Sequence, residues 1–149
     1  MSSVPTPQLP QYRITLFYGP EVMEGHPSRV HCVFNVKKRS WKGGIQVVVE
    51  VDEAQLARAR QAIRLDDWMK TAMAVLPADE RLRAEHRASD LFIQALCTIK
   101  LALVAEAGLP QDSTTIRAQA FSAELERVVA GQAQRVTRYV AQELDLVAE

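Results

Sequence analysis

The sequence predicts an α+β domain: an N-terminal three-stranded antiparallel β-meander followed by four helices, the last two a long antiparallel helical hairpin. Two observations carry this expectation. Apolar residues alternate with period two across residues 12–51, and from Asp52 onward the apolar period is helical. A third is size: 149 residues make one domain with its own core and fall short of two. Residues 1–11 are expected to be a flexible N-terminal arm, because three prolines stand among polar residues. Residues 12–149 then form a single domain, with the meander in 12–51 and the helical part in 52–149.

In residues 12–18, Ile14, Leu16 and Tyr18 fall on one face and Arg13, Thr15 and Phe17 on the other. In residues 29–37, Val30, Cys32, Phe34 and Val36 share a face. In residues 45–51, Ile45, Val47, Val49 and Val51 alternate with Gln46, Val48 and Glu50. β-Branched residues at period two mark half-buried strands. The connecting segments 19–28 and 38–44 carry Gly and Pro and are short enough for hairpin loops.

Asp52, with Gln55 three residues on, resembles a capping box and opens a short helix to about Ile63. Asp66 can cap a second helix over 67–76, stopped before Pro77. A third starts near Asp79 and runs to Ala107, where Gly108 and Pro110 stop it. A fourth begins after residues 112–114 and runs to the C-terminus, with Gly131 as its weak point. At 1.5 Å per residue each of the last two spans roughly 40–50 Å, more than a domain of this size needs. On the fourth, Phe121, Leu125, Val128, Val136 and Tyr139 belong to one apolar stripe. The third is apolar nearly all round through Leu91–Val104, so one neighbouring helix cannot cover it. A second copy of the chain is expected to cover the surplus, with the stripe residues Phe121, Leu125, Val128, Val136 and Tyr139 as the homodimer interface; the alternative is that the fourth helix is broken at Gly131 and folds back within one monomer.

Lys and Arg number 18 and Asp and Glu 18, so no net field steers the whole chain onto nucleic acid or an anionic membrane. The chain is nonetheless polarised. Residues 1–51 hold six Lys and Arg against three acids, and the remainder twelve against fifteen. The sharpest local feature is the second hairpin tip, where Lys37, Lys38, Arg39 and Lys42 surround Trp41. Exposed cations can neutralise phosphates and an exposed indole can stack or anchor an interface. With Arg13, Arg29 and His31 on the polar sheet face they can form a local basic surface. A solvated turn whose lysines guard a sheet edge explains the same residues.

Other polar residues carry less. Lys100 lies within an apolar stripe, where desolvation lowers an ammonium pKa and favours base or Schiff-base chemistry. Its long stem can equally reach solvent or pair with an acid such as Glu106 or Asp79 of a neighbouring copy. His86 shares a helix side with Leu82 and Ile93, as structural histidines do. Glu21, Glu24 and His26 match no established metal spacing. The acidic pairs Asp52-Glu53, Asp66-Asp67 and Asp79-Glu80 fall where helices begin and serve the helix dipole. Cys32 and Cys97 form no CxxC, and the histidines do not join them in a zinc pattern. No phosphate-cradling, dinucleotide-binding or nucleophile-elbow motif occurs. No cofactor, metal ligand or catalytic residue is assigned. Residues 1–11 have no signal-peptide core. The most apolar stretch, residues 91–105, is 15 residues long and holds Lys100, short of the roughly 20 that cross a bilayer.

The expected function is that of a non-catalytic cytoplasmic binding or assembly protein, oligomeric and with a protein partner. It acts through its apolar helical surface and the basic tip, with Trp41 as exposed anchor. The alternative is a nucleic-acid-binding protein that uses the hairpin Lys37–Lys42. A second alternative is a small enzyme with a site near Lys100 or His86.

Overall fold

Alternation in the first third of the chain becomes three long strands: β1 (Tyr12–Met23), β2 (His26–Lys38) and β3 (Ile45–Asp52). The computed structural model describes residues 11–111, 115–119 and 121–145. Of the expected arm over 1–11, only Gln11 lies within them. The strands pair antiparallel in sequence order. In the β2–β3 ladder Cys32, Phe34 and Val36 stand opposite Val49, Val47 and Ile45, and all six are buried. The alternate residues Val33, Gln46 and Val48 stay partly exposed. One face of the sheet therefore holds the core and the other is open, as period-two patterning dictates.

The sheet has a fourth strand that the expected fold lacks. β4 (Thr115–Ala118) lies parallel to β3, with Val47 opposite Ile116 and Val49 opposite Ala118. The sheet is mixed, ordered β1-β2-β3-β4. Residues 115–118 thus leave the expected fourth helix. Their two β-branched residues and the vacant hydrogen-bonding edge of β3 outweigh a helical period too short to act there.

Between β3 and β4 run α1 (Glu53–Ala62), α2 (Leu65–Ala72), a 3₁₀ turn (Met73–Val75) and α3 (Ala78–Glu106). The Asp52 capping box is present: its carboxylate accepts from the Gln55 N–H at 2.8 Å, and the Gln55 side chain accepts from the Asp52 N–H. α3 has 29 residues. By length and composition it could cross a membrane, yet 72% of its most apolar window is buried within the protein. From Ala88 onward Leu91, Phe92, Leu96, Ile99 and Leu101 are almost fully buried against the sheet and the C-terminal helices. Before Ala88 the helix is largely exposed.

The expected last helix is two helices, α4 (Ser122–Gly131) and α5 (Ala133–Glu143), so the described residues hold five α-helices and no long two-helix hairpin. The break falls at Gln132, directly after Gly131, where loss of a side chain weakens the helix. The break lets both halves lie on α3. Leu125 and Val129 of α4 and Val136, Tyr139 and Val140 of α5 are buried in the same core as the sheet. The apolar surplus that called for a second chain on these helices is covered within one chain.

Candidate interaction surfaces

The basic tip between β2 and β3 is built around a buried tryptophan. Trp41 is 7% exposed, which corrects the expectation of an exposed anchor. Its ring meets Tyr12 of β1 edge-on, with centroids 5.8 Å apart. The Trp41 N–H donates to the Lys38 carbonyl at 2.9 Å. The Lys37 ammonium donates to the carbonyls of Trp41 and Lys38, and the Lys38 ammonium lies 5.5 Å from the Tyr12 ring centroid. Two of the four cations thus hold the loop's shape. Arg39 and Lys42 are exposed. The edge-on ring pair and the one ammonium over Tyr12 add to the backbone bonds that fix the loop.

The open sheet face continues from this tip. Ladder partners share a face, so Arg13 stands with Lys37, Thr15 with Asn35 and Gln46, and Val33 with Val48 and Arg117. A depression of about 350 Å³ lies at the tip end, lined in part by Arg13, Thr15, Asn35, Lys37 and Gln46. Farther along, the Tyr18 and His31 rings sit 6.0 Å apart at 43°. At the far end Glu50 lies between Arg29 at 3.9 Å and Arg117 at 3.7 Å. Arg117 is absent from the sequence-derived surface because its strand is. Tyr18 was expected on the core face. The register shifts between Leu16 and Tyr18, so Tyr18 lies opposite Val33 on the open face.

A second depression, of about 240 Å³, holds Lys100 with Arg29, Glu50, Asp52, Gln55 and Gln119. Lys100 is 4% exposed and its ammonium donates to the Glu50 carbonyl and, at 3.4 Å, to Gln55 Oε1. Within the chain its partners are therefore the end of β3 and Gln55 rather than an acid side chain. Burial lowers its pKa from the ordinary lysine value, opposed by Cys97, Glu50 and Asp52. The ammonium joins the end of β3 to the start of α1, a structural staple. His86 is exposed on the uncovered half of α3. A third depression, of about 490 Å³, lies over α1 and α2, where Arg60 pairs with Asp66 at 2.7 Å and Arg64 with Asp67 at 3.2 Å. Its charges answer one another.

Cys32 and Cys97 are both free and fully buried. The Cys97 thiol donates to the Val49 carbonyl at 3.5 Å. Its contact with Cys32, then burial, pushes its pKa well above the ordinary thiol range, so the Cys97 thiol stays protonated at neutral pH. Among the described residues no group of three or more His, Cys, Asp or Glu gathers as a metal site would.

The expected helical interface residues are mostly core. Leu125, Val136 and Tyr139 are buried within the chain and Val128 packs against the same core. Tyr139 donates to Gln94 Oε1 at 3.4 Å, and burial raises its pKa. Phe121 alone stands out, 80% exposed. The main exposed apolar cluster lies elsewhere, on β1. Phe17 is 59% exposed and Val22 57%, and Leu16 and Tyr18 are exposed beside them. β1 is the outer strand of the sheet, so its outer backbone edge has no strand partner among the described residues. No family model, curated protein or solved structure matches the chain.

Proposed function

We propose that the protein is a non-catalytic cytoplasmic assembly module whose partner surface is the β1–β2 hairpin, and that a second copy of the chain occupies it. The observation that carries this reading is the exposed apolar set Leu16, Phe17 and Val22 on a strand whose outer edge has no strand partner among the described residues. Charge favours a like partner. Arg13 and Glu21 lie four residues either side of Phe17. Two β1 strands related by a two-fold axis at Phe17 set each Arg13 toward the Glu21 of the other copy and each Phe17 against its twin. Pro20 and the register shifts around Tyr18 limit the backbone pairing, so side chains supply most of the affinity. Sedimentation equilibrium tests this. The wild type is expected to be a dimer and Phe17→Asp with Val22→Asp a monomer with an unchanged circular-dichroism melt. A wild type that sediments as a monomer at high concentration overturns the reading.

A further inference from the structure

We propose that the open sheet face and its Trp41-anchored loop bind single-stranded nucleic acid, with phosphates on the loop cations and bases on the sheet. The charge segregation comes first. Residues 25–49 contain no Asp or Glu but hold Arg29, Lys37, Lys38, Arg39 and Lys42, in a chain whose net charge is zero. Among the described residues none of the four loop cations forms an ion pair. The acids of this face, Glu21 and Glu50, stand at its far end beside His31, where Glu50 lies between Arg29 and Arg117, whereas the loop cations at the tip end meet no compensating acid among the described residues and select an anionic partner.

The loop is also pre-formed. Trp41 is buried under it and Lys37 ties its carbonyls, so Arg39 and Lys42 are presented from a fixed backbone. Binding then costs little ordering entropy. Directly beside the loop, the 350 Å³ depression offers the Asn35 and Gln46 amides and the Thr15 hydroxyl, groups that read base edges. Beyond it stands the Tyr18–His31 ring pair, a surface on which a base can stack, and buried His31 Nδ1 has no hydrogen-bond partner. Along β2 from Lys37 to Arg29 this face runs about 26 Å at ~3.3 Å per residue, enough for several nucleotides.

Three features together favour nucleic acid over other polyanions. An acidic peptide uses the cations and leaves amides and rings idle. A membrane surface needs exposed apolar side chains to insert, whereas Val33 and Val48 in the middle of this face are only partly exposed, beside Arg117, and its tip end holds Thr15, Asn35, Gln46 and Thr115. A single strand, unlike a duplex, exposes its bases to a sheet.

Fluorescence anisotropy with labelled oligothymidylate and oligouridylate, on the full chain, tests the proposal. Binding is expected at low salt, and log affinity should fall against log salt with a slope of roughly −2 to −3, as three or four phosphate contacts give. Arg39→Glu with Lys42→Glu should weaken binding about tenfold or more. Tyr18→Leu keeps apolar bulk but removes the ring, and should weaken it about fivefold or more. Arg83→Glu, on the exposed half of α3, should leave affinity unchanged. Circular-dichroism melts confirm that each variant is folded. The proposal is overturned by absence of binding at low salt, or by equal losses for Arg83→Glu and the loop variant. Polyglutamate that competes as well as oligonucleotide, or phosphatidylserine vesicles that bind in preference to it, overturns it too.

Discussion

The two faces of the sheet are made from the same strands and live under different rules. On the helix side Cys32, Phe34, Val36, Val47, Val49 and Val51 meet α3 and are essentially inaccessible. One residue away in each strand, Asn35 is exposed and Val33 and Val48 only half-buried. The first face is constrained by packing, where a single methylene is felt. The second is constrained by little that folding needs, so its composition is available for binding. The stretch 25–49, which holds no Asp or Glu and sets cations and amides at the tip end of the unconstrained face, therefore carries more functional information than any residue of the core.

Substitutions at neighbouring positions break this contrast most sharply. Phe34→Ala is expected to destabilise the protein by about 3–5 kcal/mol, the cost of lost burial plus the cavity left behind. Asn35→Ala, its immediate neighbour on the open face, should stay within about 0.5 kcal/mol. Urea denaturation of the two variants measures both, and similar costs would show that the open face is packed. Gly19→Ala comes next, at about 1–3 kcal/mol. Gly19 has φ +110°, and an added Cβ would lie 2.7 Å from the His31 carbonyl oxygen and 2.9 Å from Cys32 Cα. The penalty should appear in the thermal midpoint, because the free strand meets β2 too closely there for any side chain.

The smallest effect is a slope rather than an offset, and it tests the border between the faces. Lys100 has a folded pKa below its unfolded value of 10.5 because it is buried. Below the folded pKa both states are protonated and the full cost of burying the charge is present. Between the folded value and 10.5 the unfolded chain keeps the proton that the folded protein releases. Wild-type stability should therefore rise with pH in that window relative to Lys100→Met. Parallel pH profiles for the two proteins would mean that Lys100 reaches solvent freely.

β2, β3, α1 and α3 are legible in sequence because each repeats its period long enough to be recognised, whereas β1 runs on to Met23 through the expected loop and α2 starts at Leu65 behind Arg64 rather than at an Asp66 cap and ends at Ala72 in a 3₁₀ turn. β2 and β3 show four alternating apolar positions each, and Asp52 with Gln55 forms the capping box its spacing announces. β4 is illegible for a physical reason. Four residues that hold Ile116 and Ala118 have no pattern of their own, and only the open edge of β3 makes them a strand. Gly131 marks the break between α4 and α5, but which way the second half turns depends on the shape of α3. The loop cations are legible and the burial of Trp41 is not, since its partner Tyr12 lies across a strand pair and 29 positions away. Tyr18 changes face through a single register shift that no alternation records.

The parallel strand β4 has a consequence for how this chain is born. β1, β2 and β3 leave the ribosome first and can pair with one another at once, through local hairpins. The far edge of β3 has no partner until residue 118 has been made, after all of α1, α2 and α3. Closing that edge is a non-local step, the slow kind in folding. During synthesis the nascent meander therefore exposes the β3 edge that β4 later covers from Gln46 to Val49, and the interval before β4 docks is when this chain is most open to pairing with the wrong strand.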